Sequence, residues 1–118
     1  MKFVIQSTEL YARLQILGRV ISSKNNLPIL ESILFETHPD ELVLTASDNE
    51  TTVTSHAPLV ECDADCRFVV HAKTIQDAVK ELAEQPLTFF VNESSFEITI
   101  EYQNGHFCFM GQAADEYP

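Results

Sequence analysis

The sequence has 118 residues, enough for one domain with one hydrophobic core. Hydrophobic residues make up 45% of the chain, which excludes a disordered tail, and no apolar run is long enough to span a bilayer. Seven basic and 18 acidic residues give a formal net charge of −11, so the chain as a whole should repel nucleic acid and anionic membranes. Residues 1–6 lack the form of a signal peptide, and we expect a cytoplasmic protein.

The first half of the chain predicts a strand, a helix and three further strands. Lys2–Gln6 has the pattern of a strand, and Ser7 or Thr8 can cap a helix that runs to about Ile21. The apolar residues of this helix recur at helical spacing and form one stripe: Leu10, Leu14, Leu17 and Ile21. The opposite side carries Ala12, Gln15, Arg19 and Ser22. Gly18 weakens the helix locally and would permit close packing.

Three short runs of strand-forming residues follow the helix, at residues 33–35, 42–48 and 51–54. Pro39 favours a turn between the first two runs, and Pro28 disfavours helix at Leu27 just before the first run. Pro58, late in the strand that the third run begins, indicates an edge or a bulge there. The pattern therefore predicts an antiparallel meander, followed by a polar connection at residues 62–65.

The second half repeats the same order of elements. Arg67–His71 is a predicted strand and Ala72–Ala83 a predicted helix, with Ile75, Ala78, Val79 and Leu82 on its apolar stripe. The three strands that follow are predicted at residues 87–91, 96–101 and 106–110, with a tight hairpin of positive φ at Asn104–Gly105. The fold class is therefore α+β: two pseudo-symmetric strand-helix-three-strand units, two antiparallel sheets, and two helices on one face.

Several residues invite a chemical interpretation, and each has a simpler one. Two cysteines and two histidines are of the residue types that bind zinc: Cys62, Cys66, His56 and His71. Their spacing lacks a second close ligand pair, so we expect no metal site. We expect the thiols to be reduced. Two acidic pairs could be interpreted as catalytic carboxylates: Asp48 with Glu50, and Asp63 with Asp65. Solvent-exposed turns explain the presence of these acids better. Cys108 alternates with its aromatic neighbours and is expected to point into the core. A small metal-dependent hydrolase and a protein-interaction adaptor stay open as alternatives.

Four segments together resemble the bacterial sliding clamp, the β subunit of DNA polymerase III. They are Met1-Lys2-Phe3, Leu27-Pro28-Ile29-Leu30, Leu42-Val43-Leu44-Thr45-Ala46-Ser47-Asp48-Asn49-Glu50 and Ala114-Asp115-Glu116-Tyr117-Pro118. Each motif is weak alone, but the four occur in register over the whole chain. In that family three similar domains form each chain, and two chains close head to tail around duplex DNA. The resemblance covers the first domain, residues 1–118, and implies a fragment that stops where the family chain continues.

The resemblance also implies roles for particular residues. Lys24, Lys73 and Lys80 match positions that are often basic and face DNA in the family, and Arg19, on the outer face of the first helix, is the fourth implied DNA contact. The positions that match the subunit interface are Ala78, Leu82, Phe107 and Phe109. Lysine stands at positions 24 and 73, where arginine is frequent, which implies looser phosphate contacts because the bidentate fork is lost. His71 also departs from the family, where proline is common.

The implied function is that of a non-catalytic processivity factor, without metal or cofactor. Its implied partners are duplex DNA, contacted weakly and without sequence specificity, and a second clamp subunit. DNA polymerase III and the clamp loader would bind through domains that this chain does not contain. We expect the chain alone to bind DNA very weakly and to be mainly monomeric.

Overall fold

A computed structural model describes residues 1–21, 28–48 and 50–118. The first half comprises β1 (Lys2–Gln6), α1 (Ser7–Gly18), a 3-10 turn (Pro28–Glu31), β2 (Ser32–His38), β3 (Glu41–Ser47), β4 (Thr52–Pro58) and β5 (Glu61–Cys62). The second half comprises β6 (Cys66–His71), α2 (Ala72–Val79), β7 (Pro86–Val91), β8 (Glu97–Tyr102), β9 (Gly105–Met110), β10 (Gln112–Ala113) and a 3-10 turn (Ala114–Glu116). The predicted α+β class with two antiparallel sheets and two helices is confirmed.

The two units exchange their first strands. One sheet has the order β5-β1-β7-β8-β9 and the other β10-β6-β2-β3-β4, with antiparallel pairing throughout. Strand β1 therefore pairs with the second unit, Lys2 opposite Phe90, while β6 pairs with the first, Ser32 opposite His71. The pseudo-symmetry extends to the two-residue strands β5 and β10, which flank β1 and β6. Neither half can unfold its sheet without disturbing the other half.

Four buried phenylalanines join the two sheets at the centre of the core. Phe3 and Phe89, neighbours in one sheet, stack with ring centroids 4.5 Å apart. Phe35 and Phe68, neighbours in the other, stack at 5.1 Å. Phe3 and Phe68 then meet across the sheets at 6.4 Å. Offset aromatic contacts of this kind fix the packing of a core more specifically than aliphatic contacts do.

The predicted apolar stripes pack against the core, but both helices end earlier than predicted. Leu10, Leu14 and Leu17 of α1 are fully buried, and so is Ile75 of α2. The predicted ends at Ile21 and Ala83 are wrong because each helix closes with a tighter turn. After α1 the N–H of Val20 donates to the carbonyl of Leu17, and after α2 the N–H of Leu82 donates to the carbonyl of Val79. Such i→i−3 bonds tighten and terminate a helix.

Two further predictions about turns need correction. The polar connection at residues 62–65 begins with a strand residue, since Cys62 of β5 pairs with Phe3. The hairpin near Asn104 exists, but neither Asn104 nor Gly105 has a positive φ. Tyr102 and Gly105 close the pair, which leaves residues 103–104 as the turn. Pro58 does lie at the end of an edge strand, as predicted.

The last residues pack on the outer face of the β2-containing sheet. Tyr117 and Ala114 form a small apolar cluster with Leu34 and Val69. The Tyr117 hydroxyl donates a hydrogen bond to the carbonyl of Thr45 at 3.3 Å, and burial raises the pKa of that phenol. Within the parts of the chain that the structure describes, no helix is long and apolar enough to cross a membrane.

Candidate nucleic-acid interface

Helices α1 and α2 lie side by side and are joined by one side chain. Gln76 Nε2 donates a hydrogen bond to the backbone carbonyl of Leu14 at 3.1 Å. Gly18 lies at the same crossing, where a Cβ atom would stand 2.6 Å from Gln76 Nε2. The close packing predicted for Gly18 is therefore present. The absence of a side chain at this position leaves room for the amide that ties the helices together.

Lys73, in α2, and Lys80, the residue directly after α2, are both exposed. Asp77 lies between them, four residues after Lys73 and three before Lys80. Its Oδ1 atom is 3.7 Å from Lys80 Nζ, and about half of each side chain is exposed. Helix α2 and the residue that follows it therefore present two positive charges and one negative charge. We call Lys73, Asp77 and Lys80 the α2 stripe.

The remaining basic side chains separate into paired and unpaired groups. Lys2 contacts Glu61 at 3.2 Å, Arg67 contacts Glu36 at 3.2 Å, and Arg13 is held by Glu9 on its own helix. Arg19 is exposed at the end of α1. Among the ion pairs between described residues, Arg19 and Lys73 take no part. The described Lys and Arg side chains that form none of these ion pairs therefore lie in α2 and directly after α1. Lys24, the fourth predicted DNA contact, lies outside the described residues.

The acids considered as catalytic groups serve local structure. Asp48 Oδ1 accepts hydrogen bonds from the backbone N–H groups of Thr51 at 2.6 Å and Glu50 at 2.9 Å. These two bonds lower the pKa of the Asp48 carboxyl because they favour its charged form, and the bond from Thr51 has the larger effect. Asp63 accepts from the N–H of Lys2, and Asp65 stands 3.8 Å from His38. Across the described ranges no three histidine, cysteine or acidic side chains are placed to hold a metal ion.

A second candidate surface comprises the four predicted interface residues, which belong to α2, the turn after it and β9. Ala78, Leu82 and Phe109 are half-buried and pack against the main core, and half-buried Phe107 stacks on Tyr102 at 5.0 Å. The four predicted interface residues are therefore all partly exposed, and three of them pack against the core.

The uncovered surface follows from a difference between the two units. The first unit has a 12-residue helix, α1, that packs along its edge strand β4. The second unit has an eight-residue helix, α2, which packs on α1 and, among the strands, mainly on β6 and β2. The shorter helix leaves the aromatic side of the equivalent edge strand, β9, only partly covered. Apolar side chains in that position are typical of a surface that another domain covers.

The chain matches the family described as "DNA polymerase III beta subunit, N-terminal domain" over residues 1–118. It is 30% identical over 125 aligned residues to the beta sliding clamp of Halalkalibacterium halodurans, covering all of this chain and 33% of that protein. The sliding clamp of Bacillus subtilis has the same fold, with a TM-score of 0.89 and 26% identity. The match covers 100% of this chain and 33% of that protein. The beta subunit of Thermotoga maritima has a TM-score of 0.88 and 27% identity, and the match covers 99% of this chain and 31% of that protein.

This chain belongs to the DNA polymerase III beta subunit family, as its N-terminal domain. It spans about a third of the length of the sliding clamps that it matches. The resemblance inferred from the four sequence segments is confirmed. Membership of this family does not favour the hydrolase or the adaptor that the residues alone left open.

Two features of this sliding-clamp domain were not predicted from the sequence. Cys108 is exposed, and the prediction that it points into the core is wrong. The core side of β9 carries Phe107 and Phe109 instead, opposite the buried Ile100 and Ile98 of β8. Ile16 is 47% exposed on α1, next to the outward-facing Gln15. Periodicity could have found it, because Ile16 falls outside the Leu10-Leu14-Leu17 stripe.

Proposed function

We propose that this chain is the first domain of a ring that encircles duplex DNA and keeps DNA polymerase III on its template. In this proposal the surface of α1 and α2 faces the duplex, and Arg19, Lys73 and Lys80 contact phosphates, with Lys24 adding a fourth charge. The observation that carries the proposal is the location of the unpaired positive charge. In a chain of net charge −11, Lys73 of α2 and Arg19 directly after α1 take part in none of the ion pairs between described residues.

Few and flexible contacts suit a protein that must move along DNA. Each phosphate contact steepens the salt dependence of binding by roughly 0.9 in log–log slope, so many contacts would hold the duplex in place. Lysine side chains contact phosphates as point charges and do not read base edges. The acidic remainder of the chain repels nucleic acid from the outer surface. Retention on DNA would then come from ring closure, and the domain itself would carry no catalytic group.

The second surface supplies the proposed ring contact. Ala78, Leu82, Phe107 and Phe109 would meet a complementary surface on another domain of a second clamp subunit. A head-to-tail contact of this kind joins two different surfaces, one from each subunit. In this proposal the polymerase and the clamp loader bind through other domains of the clamp.

The proposal is tested by titrating the isotope-labelled chain with a short duplex of mixed sequence and following backbone amide shifts by NMR at low salt. We expect weak binding, with shifts concentrated around Arg19 and Lys73, that added salt abolishes. Lys73→Ala should weaken the response, whereas Lys2→Ala, which removes the same charge from the β1 sheet surface, should not. Nanomolar, salt-resistant binding, or shifts confined to the sheets, would contradict the proposal.

A further inference from the structure

The carboxylate of Asp77 stands in the middle of the α2 stripe, on the surface proposed to face DNA. It is 3.7 Å from Lys80 and borders the same groove between the helices as Lys73. An acid in this position lowers the positive potential where phosphates would approach. The net charge of the α2 stripe is +1 with Asp77 present and would be +2 without it.

The stability of α2 gives no reason for an acid at this position. Asp77 is in the last turn of the helix, which ends at Val79, and a negative charge there opposes the helix dipole. Aspartate is also a poor helix former. Its spacing to Lys73 is i,i+4 with the lysine first, the less favourable order for a helical ion pair. The pair with Lys80 is exposed, and pairs of that kind contribute little to folding.

We propose that Asp77 limits the affinity of the helical surface for DNA. The inference rests on the proposed function and names one residue that regulates it. Because the Asp77–Lys80 pair is exposed and weak, Lys80 can leave the carboxylate for a passing phosphate and return to it. Asp77 therefore competes with the DNA backbone for Lys80 and repels the phosphate beside Lys73. The result is a contact that exchanges readily as the ring moves along the duplex.

The experiment compares three proteins in the same low-salt NMR titration with a short mixed-sequence duplex: the unmodified chain, Asp77→Asn and Glu97→Gln. Glu97 is exposed on β8, away from the helices, so its substitution changes the net charge equally. We expect Asp77→Asn to lower the Kd roughly two- to fivefold, the range that loss of one exposed charge interaction allows. Its log–log salt slope should steepen by up to about 0.9, and Glu97→Gln should change neither quantity appreciably.

A second comparison ties the effect to Lys80. Lys80→Met should weaken binding more in the Asp77→Asn protein than in the unmodified chain, because the lysine is then free of its acidic partner. An equal gain from Glu97→Gln would overturn the inference, since net charge alone would explain it. An unchanged Kd for Asp77→Asn would also overturn it.

Failure of the inference and failure of the proposed function give different results. If the Lys73 amide shifts with DNA in the unmodified chain but Asp77→Asn binds no tighter, only the role of Asp77 is wrong. If no amide of α1 or α2 responds to DNA in either protein, the proposed function and the role of Asp77 both fail.

Discussion

Gln76 and Leu14 fix the distance between the two helices of the proposed DNA-facing surface. The Gln76 side-chain amide donates to the Leu14 carbonyl at 3.1 Å, and Gly18 provides the space for it. Arg19 follows Gly18 directly, and Asp77 follows Gln76 directly. The contact therefore sets how the charged residues of α1 are positioned relative to the α2 stripe.

Gln76→Ala should lower the free energy of unfolding by about 1 kcal/mol, the usual contribution of one such hydrogen bond. Gly18→Ala should be neutral or destabilising in the unmodified chain. The new Cβ would displace the Gln76 amide and offset the gain of up to about 1 kcal/mol that alanine brings to a helix.

A double-mutant cycle comprises the unmodified chain, Gly18→Ala, Gln76→Ala and the double variant. Urea denaturation of these four proteins measures the coupling between Gly18 and Gln76. In the Gln76→Ala background, Gly18→Ala should become stabilising because the obstructing amide is gone. Gln15→Ala, on the exposed side of α1, is the matched control and should change the stability little. Independent, additive effects of Gly18→Ala and Gln76→Ala would show that the two residues do not share this contact.

The order of the elements and the buried helix stripes could be predicted because each depends on local spacing. Leu10, Leu14 and Leu17 recur with the helical period, and the strands of both units alternate in the usual way. Exchange of β1 and β6 between the sheets depends on long-range pairing, for which neither strand carries a local signal. The helix ends were overestimated because polar and apolar periodicity continues through the tighter turns after Gly18 and Val79.

The candidate site was predictable in type but not in its local charges. Spacing predicted Lys73 and Lys80 on one face of a helix, and both are exposed, Lys73 in α2 and Lys80 directly after it. Spacing alone could not show that Asp77 contacts Lys80, since long exposed side chains choose between several neighbours. Alternation along β9 correctly separated Cys108 from Phe107 and Phe109. It could not tell which side faced the core, and that choice depends on the pairing with β8.

The chain should sediment mainly as a monomer at micromolar concentration. Phe107 and Phe109 are half-buried already, and the proposed partner surface belongs to a different domain. Self-association would require this surface to be complementary to itself, which a head-to-tail contact does not require. Sedimentation velocity over a range of concentrations measures the state directly. A tight dimer that Phe107→Asp abolishes would show instead that the β9 surface pairs with a copy of itself.

The three cysteines should react with iodoacetamide at different rates. Cys108 is exposed and should be alkylated first. Burial, followed by the Glu93 carboxylate, raises the pKa of the Cys66 thiol, so little reactive thiolate forms there and Cys66 should be slowest. Peptide mapping by mass spectrometry over time gives the order. In denaturant the three rates should converge, and a Cys66 that reacts as fast as Cys108 in the folded chain would contradict the described environment.

Asp48 should make stability depend on pH in the acid range. Two backbone N–H groups lower the pKa of Asp48 in the folded chain. The contribution of its charge to the free energy of unfolding is therefore complete above the ordinary pKa of 3.8, and it is lost as the pH falls through the lower pKa of the folded state. Asp48→Ala should therefore lower the Tm at neutral pH, and the difference from the unmodified chain should narrow as the solution is acidified below 3.8. Asp48→Asn keeps an acceptor oxygen but cannot titrate, so it isolates the contribution of the charge. Thermal unfolding followed by circular dichroism across this range measures the effect. A Tm difference between the unmodified chain and Asp48→Asn that stays constant with pH would show that the carboxylate charge does not stabilise the turn.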